Sequence, residues 1–169
     1  AETPAEADIA APEQLLWAVH GGKPPVRPET PLALSTLLAR PGKPELGHEI
    51  AREIATADRV DALVSFVKWE GVRKLWWALK ELSDAGRPLR LISTTYIGAT
   101  EADAVRMIAR LPNTEVRISL DGRRSRLHAK AWLFHRNTGF STAYIGSANL
   151  SASALSGGLE WVMKVTEAD

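Results

Sequence analysis

The 169-residue chain has no cysteine. It therefore carries no disulfide and no thiolate metal site, which fits a cytoplasmic protein. No apolar run approaches the roughly 18 residues needed to cross a membrane, so no membrane partner is expected. The first ten residues, AETPAEADIA, are acidic and alanine-rich and lack the basic start of a signal peptide. They also lack an initiator methionine, which reads as a chain processed or cut from something longer. No GxxxxGK[ST] loop is present, so this chain is not itself a P-loop ATPase. Charge of one sign is scarce too: a net +1 is too small to argue for any partner.

What is present is ordinary for a soluble globular protein, with 45% hydrophobic and 24% charged residues. That length is enough for one domain with a real core. Most of the ten prolines fall in residues 1–45, in stretches such as GGKPPVRPETP, which favour extended chain and turns. This part reads as an arm, whose apolar patches EQLLWAVH and LALSTLLA pack on a body formed by residues 46–169. From there the pattern alternates between helix and strand periods. Helices are expected over 47–57, 70–82, 100–111 (with Thr100 as N-cap and Asp103 at the capping-box offset) and, briefly, 150–155. Strands are expected over 59–67, 87–96, 114–120, 128–135, 141–146 and 159–166. The turn RNTGF should join two of them as a hairpin. The result is an α/β fold with a mixed sheet covered by helices. Among the six tryptophans, Trp76, Trp132 and Trp161 read as core, whereas Trp69 and Trp77 could be exposed and stack on a base. His48 reads as a surface residue of the first helix, and His20 lies in the arm.

Charge is local. Between Arg117 and Arg136 six Lys or Arg stand against the single Asp121, with His128 and His135 among them. Such a field attracts phosphates, although a solvated connecting loop would look the same. Within it, alternation in a strand would place His128 and Lys130 on one face. The hairpin would return Gly146, Ser147 and Asn149 to the same end of the sheet, with Asn149 opening a short helix whose N-terminus favours anions. An imidazole, an ammonium, an amide and a hydroxyl would then converge with no acidic metal cage. A neutral imidazole nitrogen can attack phosphorus, and a cation and an amide can hold the non-bridging oxygens. Neither His-x-Lys nor Gly-Ser-x-Asn is specific alone; the ordered pair on one hairpin is.

HAKAWLFH followed by GSANLS resembles the signature of the phospholipase D superfamily, His-x-Lys-x4-Asp and then Gly-Ser-x-Asn. The wider phrases ADRVDALVSFVKWEGVRKL, LISTTYIGATE and RLHAKAWLFHRNTGFSTAYIGSANLS are similar to the phospholipase D-like domain attached to bacterial superfamily-2 DEAD/DEAH helicases (type III restriction res subunit-like proteins). The likeness covers about residues 30–166. It implies a phospholipase D-like α/β/α sandwich with a central mixed sheet, and catalysis without a cofactor or metal. It implies catalytic roles for His128, Lys130, Asn149 and Glu160, with Glu160 orienting the imidazole, and substrate contacts from Ser147 and Ser151. Arg124 and Arg126 belong to the adjacent basic segment. One position departs from the signature: His135 stands where the superfamily has Asp.

A single His-x-Lys requires a second copy to supply the second histidine, so the resemblance implies a homodimer with the site on its two-fold axis. The expected function is a metal-independent phosphodiesterase, a nuclease acting on DNA through a phosphohistidine, serving a C-terminal helicase module. The alternative is a catalytically weak nucleic-acid-binding or dimerisation module of that helicase. A phospholipase comes third, because no apolar entrance or interfacial helix is evident in the sequence.

Overall fold

The computed structural model describes residues 26–39, 44–121 and 126–167. EQLLWAVH, His20 and Arg124 lie outside them. The described residues form one seven-stranded mixed sheet with four α-helices.

The continuous apolar run after Arg59 forms β2 (Arg59–Val64), whose Val60, Ala62 and Val64 are buried. It is the first of a parallel trio, with β3 (Leu89–Thr94) in the middle and β4 (Thr114–Ser119) at the sheet edge. The trio is connected by α2 (Trp69–Asp84) and α3 (Ala102–Ala109). On its other side β2 pairs antiparallel with β5 (Lys130–His135), which forms the expected hairpin with β6 (Thr142–Gly146). Gly139, at φ 79°, makes that turn. β7 (Val162–Thr166) follows β6, and β1 (Thr36–Leu38) closes the edge against β7. The order is β1-β7-β6-β5-β2-β3-β4. β1 has no counterpart in the sequence reading: it lies in the patch LALSTLLA, and its partner is more than 120 residues away.

Helix α1 (Leu46–Thr56) buries Ile50 and Ile54 at four-residue spacing. Helix α2 buries Val72, Leu75, Leu79 and Leu82, the stripe its sequence predicts, and Gly86 at φ 73° follows its end. With the short α4 (Ala152–Leu155), these helices pack over the inner face of the sheet, on Val60, Leu91, Trp132, Phe134 and Tyr144. Among the described residues the outer face carries no helix.

Two sequence expectations are corrected. Helix α3 starts at Ala102 with Glu101 as N-cap and no side-chain cap. The Thr100 hydroxyl instead donates to the carbonyls of Thr94 (2.7 Å) and Ser65 (3.3 Å), tying the helix entry to the ends of β3 and β2. Trp161 is not core but 67% exposed, because β7 begins one residue later. Trp132 is buried and stacked on Phe134, Trp76 packs partly buried against the core, and Trp69 and Trp77 are exposed.

A buried ionic cluster ties the arm and α1 to the sheet. The Glu53 carboxylate accepts from Arg136, Thr142 (2.9 Å) and the Tyr144 hydroxyl (3.0 Å), and pairs with Lys164 at 3.1 Å. Lys164 also donates to the carbonyl and hydroxyl oxygens of Thr30, whose hydroxyl donates to Glu49. Burial pushes the Lys164 ammonium below the ordinary lysine range, while Glu53 pulls it back toward the charged form.

Candidate active site

Parallel β2, β3 and β4 end where antiparallel β5 and β7 begin and β6 ends, so the loops at these termini gather at one end of the sheet. The chemistry-bearing residues sit there.

Strand β5 starts at Lys130, so His128 lies just before it rather than inside it, as the sequence had suggested. His128 is exposed, with the edge of its ring toward Phe66 at 6.3 Å between centroids. Lys130 is buried, and its ammonium donates to the His128 carbonyl at 2.8 Å. That bond fixes the backbone carrying the imidazole to the head of β5. Burial holds the Lys130 pKa below the usual lysine range, and the Glu160 carboxylate works in the opposite direction.

The Gly-Ser-x-Asn segment is stitched to the connection between β2 and α2. The Asn149 side-chain oxygen accepts from the Phe66 amide at 3.0 Å. The Leu150 amide donates to the Phe66 carbonyl, the Lys68 amide donates to the Leu150 carbonyl, and Val67 forms a parallel bridge with Leu150. Gly71 lets the first turn of α2 approach this segment: a Cβ there would meet the Leu150 carbonyl at 2.5 Å. Asn149 therefore does not open a helix. Ser151 is the N-cap of α4, its Oγ accepting from the Ala154 amide at 3.3 Å. Gly146 serves close approach, since a Cβ would fall 2.0 Å from the Trp161 carbonyl oxygen.

The exposed Ser147 joins this loop to the start of β7. Its hydroxyl donates to the Glu160 carboxylate and accepts from the Trp161 amide at 3.0 Å. Glu160 is thus held by Ser147, and through its charge it acts on Lys130. Arg126 is exposed and stands over the Tyr96 ring at 5.8 Å. His135, at the far end of β5, belongs elsewhere: its Nε2 lies 2.9 Å from Asp61, which also takes a two-point bond from Arg90.

Three contributors escaped the sequence reading. Phe66 faces His128, the Ser65 hydroxyl donates to the Ala129 carbonyl (3.3 Å), and Tyr96 takes Arg126. The signal was their position, just past the carboxyl ends of parallel strands, where α/β sheets build their sites. Ile97, Leu120, Leu159 and Trp161 are all strongly exposed on loops at this end of the sheet. Ile97 adopts φ 54°, a left-handed conformation costly for a β-branched residue.

A family profile described as "Cardiolipin synthase, PLD-like domain" matches residues 50–169. Among solved structures, the chain is similar to NucT from Helicobacter pylori, with a TM-score of 0.58 and 17% identity, over 79% of this chain and 85% of that one. It is also similar to polyphosphate kinase from Porphyromonas gingivalis, with a TM-score of 0.54 and 22% identity, over 80% of this chain and 20% of that one. A third is phosphatidylserine synthase from Haemophilus influenzae Rd KW20, with a TM-score of 0.53 and 15% identity, over 78% and 34%. At these identities the likeness is one of fold, and the chain spans only a fifth and a third of the last two proteins. No curated protein sequence matches the chain.

Proposed function

The chain belongs to the family of PLD-like domains described as cardiolipin synthase, PLD-like domain, and from that membership we propose that it is a phosphodiesterase cutting nucleic acid, DNA foremost. The observation that carries this reading is the exposed His128 imidazole beside the buried Lys130 ammonium, at the sheet end that also holds Ser147, Asn149 and Glu160. A nitrogen of His128 attacks phosphorus, forming a P–N bond as the P–O bond to the leaving oxygen breaks. Lys130 and Ser147 take the non-bridging oxygens, where charge builds in the transition state. Asn149 holds the loop in place through Phe66.

The leaving oxygen needs a proton, and the chain has one His-x-Lys. A second copy of the chain supplies the donor through its own imidazole, and that imidazole then activates the water that releases the phosphohistidine. Glu160 orients an imidazole once the second subunit is in place, releasing Ser147 to the phosphate. Arg126 and the neighbouring basic residues favour a polyanion. Attachment to a helicase would give such a domain its strand.

A second reading follows from the exposed Ile97, Leu120, Leu159 and Trp161, which suit the acyl boundary of a membrane whose phospholipid head group would reach the site.

Labelled single- and double-stranded DNA and anionic phospholipid vesicles, each incubated with the chain in EDTA beside His128→Ala, separate the readings. DNA cleavage that survives the chelator and falls by at least a thousandfold in His128→Ala is the expected result. Cleavage confined to vesicles would replace it with the lipid reading. DNA binding without cleavage in either protein would make the chain a binding module.

A further inference from the structure

Helix α2 carries two exposed tryptophans that take no part in the proposed reaction, and they differ in place. Trp69 is its first residue, and Trp77 lies eight residues, or about 12 Å, further along the axis. Because α2 starts beyond the end of β2, Trp69 stands at the site end of the sheet, whereas Trp77 lies back toward the other end. Three Cα–Cα steps separate Trp69 from Phe66, so the two Cα atoms are at most about 11 Å apart, and the Phe66 ring faces His128. A cleft of about 530 Å³ is lined by Trp69 from α2 and by Glu101, Ala102, Asp103 and Met107 from the start of α3. Trp69 is 38% exposed, so its indole is partly packed and partly offered to that cleft. Its amide donates to one oxygen of the Glu101 carboxylate at 2.6 Å, and the other oxygen pairs with Lys68 at 3.4 Å. These bonds tie the two helix starts together, and an aromatic fixed in advance loses little freedom when a ligand stacks on it.

We propose that this cleft is a subsite for one nucleobase of a single-stranded substrate, stacked on Trp69 and flanking the phosphate at His128. The inference rests on the nucleic-acid reading above and names the form of its substrate. An indole face stacks on a base of any sequence. The two carboxylates decide which part of a nucleotide enters: they repel a phosphate and accept hydrogen bonds from an exocyclic amino group, such as that of cytosine. The bond from the Trp69 amide holds the Glu101 carboxyl below its ordinary range, so it remains an acceptor at neutral pH. The phosphates have a separate place on the same β3–α3 connection, where Arg126 stands over Tyr96. A base inside a duplex must first leave its stack to reach an indole, a step that a single strand does not need.

Binding of fluorescent oligonucleotides to the full chain, read by anisotropy in EDTA, tests the subsite. Trp69→Ala should weaken binding of a single strand about tenfold, and that of a duplex about twofold at most. Trp69→Leu, apolar but without a π face, should be as weak as Trp69→Ala, while Trp69→Phe should recover most of the affinity. Trp77→Ala should match the wild type. Oligo-dC should bind the wild type several-fold tighter than oligo-dT, because thymine lacks the amino group. Recovery by leucine as full as that by phenylalanine would reduce Trp69 to packing and overturn the subsite. So would equal losses on single strand and duplex, unchanged affinity in Trp69→Ala, or oligo-dT bound as tightly as oligo-dC. If the wild type still cuts DNA, any of these results strikes the subsite alone and leaves the nuclease reading standing. A wild-type chain that binds neither form of DNA would overturn both.

Discussion

Lys130 shows how spacing alone can misplace a neighbour: it lies in the strand and His128 does not. Its spacing from His128 suggested two side chains projecting from one strand face. Its burial and its bond to the His128 carbonyl depend on where β5 begins, which no residue type announces. Because burial lowers its pKa, its charge is lost below the ordinary lysine value of about 10.4 as pH rises. If that charge holds the phosphate, KM should climb on the alkaline side earlier than a free lysine would dictate. Lys130→Arg, charged throughout, should hold KM flat from pH 7 to 10, and steady-state kinetics across that range would show it. Asp61 gives the complementary case. Burial works to raise its pKa, but hydrogen bonds from Arg90 and His135 and the charge of Arg59 outweigh it and hold it low. A lowered carboxyl adds stability above its unfolded pKa, about 3.9, and loses it as pH falls through the folded value. Asp61→Asn should therefore cost about 2 kcal/mol at pH 7, and the gap should shrink below about pH 4 in denaturant titrations. His135 at the usual Asp position thus serves the outer face of the sheet, together with a carboxylate from β2.

At the scale of elements, β2, α1 and α2 were legible because each has one dominant period: an unbroken apolar run, or an apolar stripe with glycine at its end. β1 was not, since three residues carry no period and its partner β7 is remote. The start of α3 was misplaced because Thr100, a good cap by type, spends its hydroxyl on two strand-end carbonyls instead. The site's own element is the seam between the first turn of α2 and the segment Asn149–Ser151. Gly71 closes that seam, its missing Cβ leaving room for the Leu150 carbonyl at 2.5 Å. Gly71→Ala should cost about 1 to 3 kcal/mol by overpacking. It should also lower cleavage more than a surface change of equal thermal cost, because the loop carrying Asn149 must shift. Melting temperature and rate measured on the same preparation would separate the two effects.

For the molecule as a whole, a single His-x-Lys predicts activity that depends on assembly. Specific activity should fall as the chain is diluted below its dimer dissociation constant, with a dependence approaching second order in chain concentration, and sedimentation over the same range should show the monomer appearing. A rate strictly proportional to concentration in a monomeric range would show that one chain suffices. The distribution of polar groups has a last consequence. The Glu53–Arg136–Lys164 cluster anchors the interior, and Arg136 leaves β5 at the end opposite Lys130, whereas the groups of the proposed reaction gather around the start of β5. The parts that hold the chain together and the parts assigned to a substrate in the proposed reaction are thus largely different residues. Loops bearing Ile97, Leu120 or Leu159 can be exchanged with little penalty to folding. Such a scaffold is open to a change of substrate, since new specificity can be grafted at one end while the other keeps the framework intact.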